Sequence, residues 1–261
     1  MLLNVFFEHH YYVMLMFLLI MGVLAGFVDA VAGGGGLISM PALLYTNLSL
    51  IEVLATNKLQ SCVGTSVSTL KYYRTGLICF ATVYRGLLMG TVGVVFGNVL
   101  LHYLSDSFMQ YVVPVLLILV FLINVLNKNL GVTPSKQRMS EQIFFPIFGF
   151  VFGFYDAFFG PGVGNFWIIA IVFFLGYTFV EASGYAKMLN LKSNLFALAL
   201  FLYGGSVDFT LGAVMSIGQV IGGYFGSHIV ISRGSKFVRP FFITIIFINI
   251  VAGIYHLLNV L

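Results

Sequence analysis

The sequence predicts an all-α polytopic membrane protein made of two internal repeats of about four helices each. Glycine-broken or re-entrant helices are expected where the repeats meet. Three observations predict it. Of 261 residues, 60% are hydrophobic and 8% charged, with a mean hydropathy of +1.05. A soluble domain is about 25% charged, so this chain has too few polar side chains to coat a water-facing surface. The apolar residues fall into runs near the ~20 that a spanning helix needs. An unusual set of residues in the first half also returns, in order, in the second.

The same composition excludes an ordinary cytosolic enzyme, a nucleic-acid-binding domain and a disordered chain. The net charge of +4 forms no basic stripe; in membrane proteins such an excess marks cytoplasmic loops. Cys62 and Cys79 lie in or beside apolar runs without metal-ligand spacing and read as packing residues.

The first run, Tyr11–Ala32, is too long for a signal peptide, and Glu8 rather than Lys or Arg precedes it, so it reads as the first membrane helix. Leu37–Leu50 follows four consecutive glycines, then Val53–Tyr73, Ala81–Leu104 and Phe108–Leu126. The one long polar stretch, Asn127–Gln142, carries Lys128, Pro134, Lys136 and Arg138 and cuts the chain nearly in half. The expected division is therefore a first transmembrane repeat over 1–126, a cytoplasmic linker over 127–142 and a second repeat over 143–261. In the second half the runs are Ile143–Phe159, Asn165–Val180, Tyr185–Tyr203, Phe209–Ile231 and Phe237–Leu261.

Asp29-Ala30 followed by Gly33–Gly36 recurs 127 positions later as Asp156-Ala157 followed by Gly160-Pro161-Gly162. Glu52 and Lys58 recur 129 positions later as Glu181 and Lys187, and Gly76, Phe80, Gly93 and Gly97 match Gly205, Phe209, Gly222 and Gly226. Pro114 and Pro240 open the last helix of each half. Lys71, Arg74 and Arg85 surround one turn whose counterpart, Gly204–Leu211, holds only Asp208. Conversely His102–Ser107 lacks Lys and Arg while Ser232–Arg239 holds Arg233, Lys236 and Arg239. Equivalent turns thus fall on opposite sides of the membrane, which predicts inverted repeats, a recurring transporter architecture. Four spans per half in parallel copies is the alternative.

Charged groups at the bilayer centre face a cavity or a partner. Asp29 and Asp156, beside the glycine clusters, read either as helix caps or as coupling groups. Glu52 and Glu181 read either as interfacial residues where a helix starts or as coupling groups. Gly33, Gly34, Gly35 and Gly36 are a poor helix, each glycine costing about 1 kcal/mol relative to Ala, and Gly160, Gly162 and Gly164 flank a proline. Irregular backbone survives in lipid only where protein or a wet cavity covers it. Half-helices starting at Leu37 and Asn165 would aim amide groups at an anion.

Lys58, Ser61 and Thr65 share one helix face, and Lys187, Asn190 and Asn194 repeat the spacing; Thr56 and Asn57 extend the first stripe. A lysine beside hydroxyl and amide donors suits a small oxyanion; interhelical polar contact with a snorkelling lysine is the plainer reading. The sequence shows no nucleotide-binding glycine motif, nucleophile elbow or metal spacing around its histidines. No enzyme, no cofactor and no metal is expected.

The run from Gly26 to Pro41 (GFVDAVAGGGGLISMP), followed by Ala55-Thr56-Asn57-Lys58-Leu59, resembles the sulfite exporter (TauE/SafE) family, and the second half is similar through Gly153, Asp156, Gly160, Pro161, Gly162, Lys187 and Asn194. The resemblance implies a secondary transporter of the bacterial inner membrane for sulfite, sulfonates or related organosulfur and carboxylate anions. It also implies functional positions at Asp29, Gly33–Gly36, Pro41, Thr56, Asn57, Lys58, Asp156, Gly160, Gly162, Lys187 and Asn194. Ala186 and Tyr185 replace Asn57 and Thr56 in the repeat, so the site is not fully symmetric. The family's usual description as an eight-span duplication of four helices differs from the inverted reading. The expected partners are the lipid bilayer and a small anionic substrate, with no nucleic acid. A membrane-embedded partner subunit or a channel is the competing function.

Overall fold

The computed structural model describes residues 11–101, 131–158, 160 and 162–260. The expected span Phe108–Leu126, the turn His102–Ser107, Pro114, Pro161 and the first part of the linker lie outside these residues. The described chain is helical: α1 Tyr11–Ala32, α2 Gly36–Leu44, α3 Leu50–Arg74, α4 Phe80–Leu101, α5 Glu141–Phe158, α6 Val163–Ala170, α7 Phe179–Tyr203 and α8 Phe209–Val260, the last broken at Gly234. No strand occurs among the described residues. Three of these helices, over Tyr11–Ala32, Phe80–Leu100 and Phe209–Thr244, are long and apolar enough to cross a membrane.

Burial is inverted relative to a soluble protein. Along α1 the residues Tyr12, Met16, Ile20 and Leu24, spaced four apart, are 83%, 65%, 54% and 49% exposed, whereas Lys58 and Lys187 are 2% and 0% exposed. Apolar side chains on the outside and ammonium groups inside suit lipid as the surrounding solvent.

Glycines set the helix pairings. A Cβ on Gly218, Gly222 or Gly226 of α8 would meet the backbone of Leu19, Val23 or Phe27 of α1 in turn, so the two helices run the same way in close contact. Gly86, Gly90, Gly93 and Gly97 of α4 meet Phe145, Gly149, Phe150 and Phe154 of α5 in the same manner. α3 follows α8, with Leu59 beside Gly212, Gly64 beside Gln219 and Ser68 bonded to the Gly223 carbonyl. α3 and α7 run oppositely, since Lys58 reaches Asn194 while Tyr72 lies against Gly184. Hence α1, α3 and the first part of α8 point one way, and α4, α5 and α7 the other. These directions bring the end of α3 with Arg74, the start of α4 with Arg85 and Arg233 of α8 to one end of the bundle. Arg138 joins them, its amide bonded to the Phe174 carbonyl just before α7 begins.

Two element boundaries differ from the sequence expectation. Leu37–Leu50 contracts to the nine-residue α2, because Asn47 takes a left-handed φ of 62° and Ser49 caps the next helix. Asn165–Val180 is not one segment: α6 ends in a π turn at Ile171–Leu175, Gly176 reverses the backbone and α7 starts at Phe179. Both long central helices open with a capping box. The Ser49 hydroxyl accepts from the Glu52 amide at 3.4 Å while the Glu52 carboxylate takes the Ser49 amide at 2.8 Å. Thr178 and Glu181 repeat this at 3.3 Å and 2.9 Å. Ser49→Ala or Thr178→Ala is expected to cost about 1 kcal/mol, lowering Tm by about 2–4 °C without changing ligand affinity. Thermal unfolding with and without ligand checks this.

Candidate functional site

The polar stripe of α3 lines a cavity between the two glycine breaks. Lys58, Ser61 and Thr65 border it with Asn57, as their helical spacing requires, and α7 contributes Asn190 and Asn194. α1 and α5 contribute one carboxylate each, Asp29 and Asp156. Gly33, Gly36, Gly160, Gly162 and Val163 complete the wall, so the first residues of α2 and α6 open on it. Helix N-termini carry partial positive charge and favour an anion. The cavity is about 20 Å³, room for about one water.

The four charged groups pair crosswise between the halves. Lys58 of α3 holds Asp156 of α5 at 2.7 Å, and Lys187 of α7 holds Asp29 of α1 at 2.7 Å. Lys58 also donates to the Asp156 carbonyl at 2.8 Å and to Asn194 Oδ1 at 3.0 Å, which accounts for its three N–H donors. Asn194 Nδ2 in turn donates to Asn190 Oδ1 at 2.8 Å. Ser193 donates to the second Asp156 oxygen, Oδ2. On the other side Ser39 Oγ and Gln60 Nε2 both donate to Asn57 Oδ1 at 2.6 Å. Two lysines and two carboxylates make the site neutral, and a buried pair stays favourable only with such supporting hydrogen bonds.

Of the residues expected from sequence, twelve share the cavity wall: Asp29, Gly33, Gly36, Asn57, Lys58, Ser61, Thr65, Asp156, Gly160, Gly162, Asn190 and Asn194. The others stand elsewhere. Lys187, 0% exposed, is bonded to Asp29, which itself borders the cavity. Thr56 Oγ1 accepts the Asp208 amide at 3.0 Å, tying α3 to the start of α8. Pro41 lies inside α2 on an exposed surface. Gly34 and Gly35 precede α2, with Gly35 packed on the Asp29 side chain. Glu52 and Glu181 close the capping boxes. Asp29 and Asp156 cap no helix: they sit near the C-terminal ends of α1 and α5, and the N-cap positions of α2 and α6 are Gly35 and Gly162.

Sequence reasoning missed Ser39, Gln60 and Ser193, which orient Asn57 and Asp156. Only Ser193, next to Asn194 on the α7 stripe, had a usable signal. It also missed Asn165, fully buried in the first turn of α6 with neither side-chain polar atom bonded to a described residue. Among the described residues no three His, Cys, Asp or Glu gather to hold a metal.

The sequence profile of the sulfite exporter TauE/SafE family matches residues 18–253. "Probable membrane transporter protein YfcA" of Escherichia coli K12 is 37% identical over 228 residues, covering 87% of this chain and 85% of that protein. "Probable membrane transporter protein" of Haemophilus influenzae is 34% identical over 242 residues, covering 93% and 95%. "Probable membrane transporter protein ORF9" of a Sinorhizobium species is 33% identical over 232 residues, covering 89% of each. No solved structure matches the chain. Apolar helices around buried paired charges and a family match across nearly the whole length agree, and the chain belongs to the TauE/SafE family of membrane transporters.

Proposed function

We propose that the chain is a multi-pass secondary transporter of the bacterial inner membrane, carrying sulfite, a sulfonate or a related organosulfur or carboxylate anion. The substrate occupies the cavity between the two glycine breaks, at the interface of two inverted repeats over 1–126 and 143–261 joined by a cytoplasmic linker. The observation that carries the reading is the crossed pair Lys58–Asp156 and Lys187–Asp29, in which carboxylates of one half sit on lysines of the other. A carboxylate and a small oxyanion present the same acceptor chemistry to an ammonium group. The side chains in the described state therefore occupy the place an anion would take.

The inverted arrangement is supported by helix direction: α1, α3 and α8 each run opposite to α5, α7 and α4, their counterparts in the other half. Backbone conformation recurs as well. Gly33 and Gly160 have φ of 79° and 86°, Asn47 and Gly176 62° and 75°, and Gly76 and Gly205 73° and 68°. Two halves that exchange conformations around a fixed central site give alternating access. The gathering of Arg74, Arg85, Arg138 and Arg233 at one end supports that end as cytoplasmic.

Thermal unfolding of the purified protein against sulfite, thiosulfate, sulfoacetate, simple carboxylates and halides tests the reading. A bound anion at a hundred times its Kd is expected to stabilise by about 2.7 kcal/mol, growing with the logarithm of its concentration, with the shift abolished in Lys58→Ala. Equal shifts in wild type and Lys58→Ala, or no shift with any of these anions, would overturn it.

A further inference from the structure

The two ion pairs of the site are unequal. Asp156 uses both carboxylate oxygens, Oδ1 on Lys58 and Oδ2 on the Ser193 hydroxyl. Asp29 uses only Oδ2, on Lys187, and no described residue donates to its Oδ1. Both acids border the cavity, but the Asp29 side chain is 12% exposed against 2% for Asp156. The carboxylate oxygen left without a donor thus belongs to the more exposed of the two acids that border the space where an anion would sit.

Charge counting makes this consequential. With both acids ionised the site sums to zero, so an added anion is an unbalanced charge in a low-dielectric interior. The geometry points to Asp29 as a proton-binding site that loads together with the anion, while Asp156 remains the fixed counter-charge of Lys58. This rests on the anion-transport reading above. The proton comes from the aqueous side to which the cavity is open and forms an O–H bond at Asp29 Oδ1. Lys187 keeps its three protons, and its positive charge is now balanced by the bound anion. Release reverses both events on the far side: the O–H bond breaks, the proton passes to water and the Lys187–Asp29 pair re-forms. No electron moves, and a monoanion crosses without net charge.

The groups around Asp29 are consistent with this. From α7 comes Lys187, at 2.7 Å. From α3 come Lys58, in the same wall, and Tyr72, whose hydroxyl donates to the adjacent Ala30 carbonyl at 3.4 Å. Asp156 of α5 lies in the same wall. Among the described residues α2, α6 and α8 bring no charged side chain to the cavity. A neutral Asp29 removes one negative charge from the anion's surroundings and leaves both lysines.

The test uses the full chain in liposomes with 35S-labelled sulfite and thiosulfate and with labelled sulfoacetate. Exchange is measured with equal anion and pH on both sides. Accumulation is measured under an imposed pH gradient, with entrapped pyranine reporting proton entry. Wild type is expected to accumulate anion severalfold when the outside is acid, with proton entry that requires the anion. Asp29→Asn is expected to lose both accumulation and anion-dependent proton entry, whatever exchange rate it keeps. Accumulation by Asp29→Asn equal to wild type, or wild-type exchange that ignores the gradient and moves no proton, overturns the assignment. If Asp29→Asn loses exchange too, Asp29→Glu decides: restored accumulation with a displaced pH profile supports it, and any other result overturns it. Absence of wild-type exchange with all three anions instead sinks the anion reading, and the proton assignment with it.

Discussion

Lys58→Ala is expected to abolish anion flux and to lower unfolding stability by about 3–5 kcal/mol, because it leaves the Asp156 carboxylate buried without its counter-charge. Asp156 is 2% exposed, and the same substitution removes donors from its carbonyl and from Asn194 Oδ1. The double variant Lys58→Ala/Asp156→Ala is expected to recover much of that stability, since removing both charges also removes the unpaid desolvation. Its flux is expected to stay at zero, because the cation that would meet the anion is gone. Lys187→Ala is expected to cost less: Asp29 is less buried, and Lys187 makes its one bond among the described residues to that carboxylate. Thermal unfolding in detergent and flux in liposomes check the set together. Lys58→Ala as stable as Lys187→Ala would remove the argument that this pair is the more tightly held.

How far the site could be read without coordinates follows from which interactions are local. Lys58, Ser61 and Thr65 share a face through helix spacing alone, so their convergence was legible, as was that of Asn190 and Asn194. The partner of each lysine was not. Asp29 and Lys187 are 158 residues apart, and no periodicity within one helix says that a carboxylate meets the lysine of the opposite half. The cap reading of Asp29 and Asp156 failed for a related reason. Each acid still lies in the helix that ends before the glycines, and the next helix starts seven residues later, at Gly36 and Val163. Hydropathy also concealed a boundary that the residues did signal. Thr178-Phe179-Val180-Glu181 has the pattern of a capping box, as does Ser49-Leu50-Ile51-Glu52, yet the apolar run through Ile171–Leu175 carries the eye past it. The membrane class needed no such detail, because it rests on the charged fraction, which no tertiary contact alters.

Gly33→Ala is expected to eliminate flux and to destabilise the protein more than Gly76→Ala does, although both glycines have nearly the same backbone conformation. Their φ values are 79° and 73°, in the left-handed region where an L side chain costs about 1–2 kcal/mol. That cost is all Gly76→Ala should show, since nothing lies within 4 Å of a Cβ there, and its flux should remain close to wild type. A Cβ on Gly33 would instead overlap the backbone of Gly164, and backbone cannot swing aside as a side chain can. The stability difference between the two variants, read from thermal unfolding, therefore isolates the contact at which the two helix breaks meet. Gly164→Ala supplies the converse. Gly164 lies in the first turn of α6 without a left-handed φ, so its substitution carries the overlap with Gly33 alone. Flux lost in Gly33→Ala and Gly164→Ala but kept in Gly76→Ala would tie transport to the approach of the two breaks. Equal costs for Gly33→Ala and Gly76→Ala, with flux preserved in both, would mean that the breaks need not touch for the transporter to work.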